Sequence, residues 1–197
     1  MQFTETGLKD AYVIELEKRC DERGFFARAW CRREFEEHGL IADLAQSNLS
    51  FSRRAGTLRG MHYQVYPHQE TKLVRCTKGA LYDVIIDIRP ESPTYMKWFG
   101  AELTEDNHRM LYVPRGFAHG FQSLVDNVEV FYHVTQFFTP GAERGIRWDD
   151  PAFHIAWPEI EARTISEKDR NWPAYRPEGA AGASRLLVSQ ATTEVAS

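Results

Sequence analysis

At 197 residues, with 43% hydrophobic and 13% aromatic side chains, the chain is long enough for one sizeable core and too apolar for a disordered segment. A formal net charge of -4 gives no electrostatic ground for a nucleic-acid partner, and no window reaches the roughly 18 apolar residues of a membrane span. Met1 to Asp10 has neither the basic start nor the apolar run of a secretion signal, and Cys20, Cys31 and Cys76 read as reduced, core-type thiols rather than a disulfide framework or zinc site, so a cytoplasmic protein is expected.

In chain order, Ala11 to Leu16 is a predicted strand. Gly24 to Trp30 is another, entered through the turn Asp21-Glu22-Arg23-Gly24. Arg33 to Leu44 has helical character, with Phe35, Leu40, Ile41 and Leu44 as its apolar positions. From Gln46 the pattern turns to strands. Tyr82, Val84, Ile86 and Ile88 fall on one face of a period-two segment, with Leu81, Asp83, Ile85 and Asp87 on the other. After the Pro90-Glu91-Ser92-Pro93 turn, Trp98 to Leu103, Met110 to Val113, Phe117 to Leu124 and Val128 to Phe138 continue the series. Many short strands between turn signals predict a sandwich or barrel. Beyond Pro140 the chain is loop-rich, with a short helical start at Ser166 to Asp169. Residues 1–177 are expected to form a single domain. Residues 178–197, rich in Ala, Ser, Thr and Gly, read as a mobile tail.

Polar residues interrupt these strands in a way that points to a cavity. Gly56-Thr57-Leu58-Arg59-Gly60-Met61-His62-Tyr63-Gln64 is followed by Lys72 and later by Pro114 to Phe121. Leu58, Gly60, His62 and Gln64 share one parity. Lys72, Val74 and Cys76 share a second face, and Tyr132, Val134, Gln136 and Phe138 a third. If these faces point inward, His62, Lys72, Tyr132 and Phe138 line one pocket. Arg59 has the opposite parity and needs a twist or bulge, which Gly60 would supply, to join them.

Such a pocket offers proton transfer at carbon. Histidine is the side-chain type suited to a general base at neutral pH, and a carboxylate behind it fixes the tautomer. Lys72 is placed to stabilise an enolate oxygen. Tyr132 is placed to return a proton from the other side, which epimerisation requires. The other strand and loop histidines, His38, His108, His133 and His154, read as ordinary hydrogen-bonded residues.

A rival is a metal-holding jelly-roll cupin, marked by Gly-x5-His-x-His-x3-4-Glu and Pro-x-Gly-x2-His-x3-Asn. Gly56 and His62 match the first motif, but Gln64 replaces its second His and Glu70 is too far downstream. Pro114, Gly116 and His119 match the second, with Ser123 in place of Asn. Two histidines make a poor transition-metal site, so no metal is expected.

Asp21 to Phe26, Gln46 to Ser50, Leu58 to Gln64, Lys72 to Arg75, Asp83 to Arg89, Pro114 to Phe121, Gly145 to Pro151 and Ser166 to Asp169 occur in order, over about residues 10 to 172. This set resembles the dTDP-4-dehydrorhamnose 3,5-epimerase family. The resemblance implies a mainly β jelly-roll cupin barrel with a short N-terminal helix and a C-terminal loop and helix segment. It implies a cofactor-independent homodimer acting at C3, C5 or both of a nucleotide-linked 4-keto-6-deoxyhexose. Carried over by residue, it implies His62 as base with Asp169 as its carboxylate, Tyr132 as acid and Lys72 at the C4 oxygen. It implies Arg23, Gln46, Asn48, Arg59, His119, Glu143 and Lys168 as nucleotide-sugar contacts, Phe138 as the ring stacked on the base, and Arg23 as a contribution from the partner subunit. Arg28, also in the nucleotide pocket, stands where the family often has Glu. That exchange turns an acceptor into a donor and bears on which base is selected. The segment Tyr66 to Thr71 differs from the commoner Ala-Gln-Gly-Lys approach to the lysine.

Overall fold

The alternating run that begins at Gln46 forms eight strands. They are β5 (Gln46–Ser52), β6 (Thr57–Gln64), β7 (Lys72–Lys78), β8 (Ala80–Asp87), β9 (Trp98–Thr104), β10 (Met110–Val113), β11 (Phe117–Ser123) and β12 (Val128–Val134). The computed structural model describes residues 1–177; the predicted tail lies outside the described residues. Before the run come β1 (Gln2–Glu5), β2 (Tyr12–Glu15), β3 (Arg19–Asp21), β4 (Gly24–Phe26) and helix α1 (Arg32–Glu37). After it come β13 (Glu143–Gly145), β14 (Thr164–Ile165) and helix α2 (Glu167–Arg170).

One sheet has the order β1-β2-β10-β7-β12-β5. The other has β13-β6-β11-β8-β9, with β14 beside β6. The pairings β5-β12-β7-β10 and β6-β11-β8-β9 are those of a double-sheet jelly roll. The two sheets stay separate, so the expected barrel is an open sandwich held by side chains rather than by a closing ladder.

Period two sorts each strand's side chains into layers. Val74, Cys76, Val128 and Val130 of the first sheet meet Leu81, Ile85, Leu103 and Phe121 of the second in the inter-sheet core. Val84 and Ile86, on the other face of β8, pack outward with Met61, Ile146, Phe153 and Trp157. Each fully buried Leu, Ile or Val contributes about 1.5–3 kcal/mol, so these layers hold the sandwich while one end stays polar.

The helix is shorter than predicted. It ends at Glu37 because Gly39, at φ +69°, turns the chain: Gly39 N–H donates to Glu36 at 2.9 Å and Leu40 N–H to Phe35 at 2.9 Å. Leu40 then packs with Phe35, completing a Schellman stop. The predicted strand Gly24 to Trp30 is three residues long, since β4 pairs only with the equally exposed β3. Cys76 is core, its thiol pushed up to about 11 by burial, whereas Cys20 is exposed, against the expectation of a core thiol.

Candidate active site

A bulge decides which side chains of β6 face inward. On β11, His119 pairs with His62 and Phe121 with Arg59, so three steps on β6 match two on its neighbour. The extra residue falls around Gly60, which takes φ +124°. A Cβ there would stand 2.5 Å from Gly120 Cα and 2.9 Å from the His119 carbonyl oxygen, so only glycine suits both the conformation and the approach. The bulge corrects the strict alternation expected for this strand. Leu58 packs in the outer layer with Met61, while Arg59 joins His62 at a cavity.

His62 Nε2 lies 2.6 Å from Asp169 Oδ1. Asp169 is delivered by α2, whose N-cap Ser166 accepts its backbone N–H at 3.0 Å. The carboxylate also accepts from Gly60 N–H at 3.2 Å and from Trp172 Nε1–H at 3.3 Å. It is 4% exposed. Burial pushes its pKa up, but the bond to His62, the His62 charge and the Gly60 and Trp172 donors outweigh burial and hold it below the usual carboxylate range. An ionised carboxylate only accepts, so His62 presents Nε2–H to it, and in the neutral ring Nδ1 is the nitrogen left to accept a proton.

The opposite wall comes from the other sheet. Lys72 on β7 faces Val134 of β12, and Tyr132 on β12 sits between Val74 and Asn48. Arg59, His62, Lys72, His119, Tyr132 and Asp169 line a cavity of about 440 Å³. Gln46, Asn48, Glu70, Phe138 and Glu143 line an adjoining one of about 260 Å³. His62, Lys72 and Tyr132 line both. Burial pushes the Tyr132 phenol pKa up, the Glu70 charge adds to this and Arg59 opposes it. The phenol is therefore protonated at neutral pH. A larger cavity of about 690 Å³, lined by Tyr66, Ile88, Arg144 and the 172–176 segment, includes none of His62, Lys72 and Tyr132.

A family model described as dTDP-4-dehydrorhamnose 3,5-epimerase matches residues 5–176. A relative of that name from Methanothermobacter thermautotrophicus is 43% identical over 177 residues, covering 89% of this chain and 95% of its own. The chain belongs to the dTDP-4-dehydrorhamnose 3,5-epimerase family. By class it is an isomerase. The crystal structure of the family member from Elizabethkingia anophelis matches with a TM-score of 0.86 at 40% identity, over 89% of this chain and 96% of that one. That of a dTDP-6-deoxy-D-glucose-3,5-epimerase from Legionella pneumophila, in complex with dTDP-4-keto-L-rhamnose, matches with a TM-score of 0.81 at 34% identity, over 89% and 98%.

The fold gathers most of the family-implied residues and leaves others outside. Gln46 accepts from Phe138 N–H at 2.9 Å and so fixes the loop that presents this half-exposed ring. Arg59 donates to the Phe51 carbonyl at 3.0 Å. His119 sits beside His62 and meets the fully buried Asp83 through Nε2 at 2.7 Å. Lys168 lines neither cavity but pairs with Glu143, which lines the smaller one. Arg23 is 83% exposed on the β3–β4 hairpin and pairs with Asp21, and Arg28 stands 4.0 Å from Glu34. Neither lines the two cavities within this chain.

Sequence reasoning assigns no site role to Asp83, Gln64, Glu70 or Trp172. The parity of Asp83 with Leu81 and Ile85 was readable, but not that β11 would bring His119 to it. Gln64, at the missing metal-ligand position, directs its amide to Glu70, His68, Phe137 and Thr139 instead. Among the described residues no three His, Cys, Asp or Glu side chains form a metal-binding group.

Proposed function

We propose that this protein epimerises C3 and C5 of a nucleoside-diphosphate-linked 4-keto-6-deoxyhexose, as dTDP-4-dehydrorhamnose 3,5-epimerases do. The observation that carries the reading is the placement of His62 on one sheet and of Tyr132 and Lys72 on the other, all three lining the same two cavities. The C4 ketone acidifies the adjacent C–H bonds. His62 Nδ1 takes the proton, and the electron pair of the broken bond moves onto the C4 oxygen, where the Lys72 ammonium stabilises the enolate. Asp169 supports the imidazolium that forms. The enolate collapses back to the ketone as the Tyr132 phenol delivers a proton to the opposite face of the carbon. Solvent exchange returns both groups to their starting states. No redox or metal step is required by this balance.

In this reading Arg59 and His119 meet the diphosphate, for which a guanidinium fork is suited. Phe138 stacks on the base. Gln46, Asn48, Glu143 and Lys168 contact the remaining nucleotide sugar, and Arg23 and Arg28 reach the site from a second copy. A homodimer is supported by exposed apolar side chains on the β3–β4 hairpin and β5: Phe25 at 47%, Phe26 at 66%, Leu49 at 62% and Phe51 at 45%. Residues 1–177 act as one catalytic domain. The free Cys20, Cys31 and Cys76 support a cytoplasmic setting.

The test is deuterium uptake from heavy water, followed by NMR on the dTDP-linked 4-keto-6-deoxyglucose. Both C3 and C5 exchange in the wild type. His62→Ala abolishes exchange while dTDP affinity persists. Tyr132→Phe leaves exchange but slows inversion, because only the imidazolium remains to return the proton. Wild-type exchange in His62→Ala would remove the base assignment, and uptake at one carbon would reduce the reaction to one centre.

A further inference from the structure

Glu70 is a partly buried carboxylate to which the mechanism above gives no task. Its side chain is 13% exposed, and both oxygens are engaged. Oε1 stands 3.1 Å from Lys72 Nζ, and Oε2 accepts from Gln64 Nε2 at 2.9 Å. Gln64 is itself 4% exposed. Its Nε2 also faces the carbonyl oxygens of His68 and Phe137 at 3.1 and 3.2 Å, and its Oε1 accepts from Thr139 N–H at 2.8 Å. Acceptors on one side and a donor on the other fix the amide's orientation. Phe137 and Thr139 flank Phe138, whose ring lines the same cavity as Glu70 and Lys72. A continuous run of polar contacts therefore joins the loop that presents Phe138 to the lysine ammonium.

We propose that Glu70 is a positioning residue that couples the Phe138 loop to the placement of the Lys72 ammonium at the reacting ketone. The inference rests on the roles given above to Lys72 and Phe138. An ammonium has three N–H donors, so a bond to Glu70 leaves two for the substrate oxygen. A lysine stem is flexible, and a fixed counter-charge orients it before the substrate arrives, which is when preorganisation counts. The same carboxylate dilutes the charge that Lys72 offers the enolate. Orientation outweighs dilution here because Glu70 is itself held by Gln64, and because Lys72 is 11% exposed and has little water to replace a lost partner.

The experiment measures kcat, KM and thermal midpoint for the full chain with the dTDP-linked ketosugar. Glu70→Gln keeps the shape and an acceptor for Gln64 while removing the charge. Its kcat falls by about 10-fold or more, with KM within about 3-fold, as expected for an interaction that matters in the transition state. Phe138→Ala lowers kcat as well as raising KM in the parent, but lowers kcat no further in the Glu70→Gln background, the non-additivity of a coupled pair. Parent-like kcat in Glu70→Gln, or additive effects of the two changes, overturns the proposal. Glu70→Asp keeps the charge and recovers part of kcat; if Glu70→Gln folds poorly, an Asp variant that is folded but as slow as Lys72→Ala overturns it instead. Lys72→Ala separates the two levels. Full turnover without Lys72 refutes the lysine's role itself, whereas an inactive Lys72→Ala beside a normal Glu70→Gln removes only the coupling.

Discussion

Replacing Asp169 by Asn changes one atom and confronts the site with a choice it cannot satisfy. The carboxylate accepts from three donors: His62 Nε2–H at 2.6 Å, Gly60 N–H at 3.2 Å and Trp172 Nε1–H at 3.3 Å. An amide has one oxygen and one NH2. If the oxygen stays on His62, the NH2 confronts the Gly60 N–H in a buried place. A charge-assisted bond is then exchanged for a neutral one, a loss of about 1–1.5 kcal/mol. At 1.36 kcal/mol per tenfold, kcat falls by about 5- to 13-fold. If the amide turns over, its NH2 forces His62 Nε2 to accept, and the ring proton moves to Nδ1, the atom that receives the substrate's proton in the proposed mechanism. The loss is then about 10⁴-fold, the scale known for a wrong tautomer behind a catalytic imidazole. The assay is the initial rate of deuterium uptake at C3 and C5, paired with calorimetric binding of dTDP, which is expected to be unchanged. Uptake within about threefold of the parent would refute the reasoning that a charged acceptor orients His62.

Gly60→Ala drives a methyl group against Gly120 and the His119 carbonyl in a φ range that L-residues avoid. Overpacking and strain together cost about 2–4 kcal/mol; a denaturant midpoint equal to the parent's would refute the bulge's role. Asp87 is fully buried, and although burial pushes its pKa up, hydrogen bonds from Arg89, Ser92 and Thr94 hold it below the usual range. Asp87→Asn leaves Arg89 without its inner partner and costs about 3 kcal/mol at pH 7. The sign with pH follows from the depression of both Asp87 and Asp169. The unfolded carboxylates, with values of about 3.9, bind protons first, so the stabilisation is present above about pH 4 and is lost as pH falls through the lower folded values. Calorimetry from pH 7 to pH 3 checks this: the parent's melting temperature drops below about pH 4, and Asp87→Asn shows a shallower drop.

Residues within a strand were legible because alternation is local. The two faces of β8 were assigned from sequence and pack into different layers, Leu81 and Ile85 between the sheets and Val84 and Ile86 outside. The stop at Gly39 was also written locally, as a glycine between the helix and Leu40, yet the apolar spacing of Leu40 and Ile41 masked it. Leu40 returns to Phe35 through the cap, not through another helical turn. The β6 bulge was half legible. Gly60 marked a break in pairing, but only the register against β11 shows that the break moves Arg59 inward and Leu58 outward. Asp169 lies 107 residues from His62 and was reached through family resemblance alone. No period or propensity states that a four-residue helix will pack beneath β6. Glu70 lies too far downstream to fit the metal motif, and its contact with Lys72 was not legible because alternation has no force in the segment before that lysine.

The position of the site follows from where apolar residues stop along two neighbouring strands. On β12 the inward side chains run Val128, Val130, Tyr132. On β7, which is antiparallel to it, they run Cys76, Val74, Lys72, with Cys76 opposite Val130 and Val74 opposite Tyr132. Both series turn polar toward the same end. On the facing sheet His119 and His62 stand side by side, each meeting a buried carboxylate through Nε2. Packed sheets lie about 10 Å apart, a gap that core side chains fill elsewhere and that here is left for a ring. A sugar ring lying parallel to the sheets in that gap would turn one face toward each. In the proposed mechanism the His62 imidazole and the Tyr132 phenol, which stand on different sheets, then meet the ring from opposite faces, and inversion needs no movement of either strand. A helical scaffold would have to secure the same opposition by side-chain reach alone.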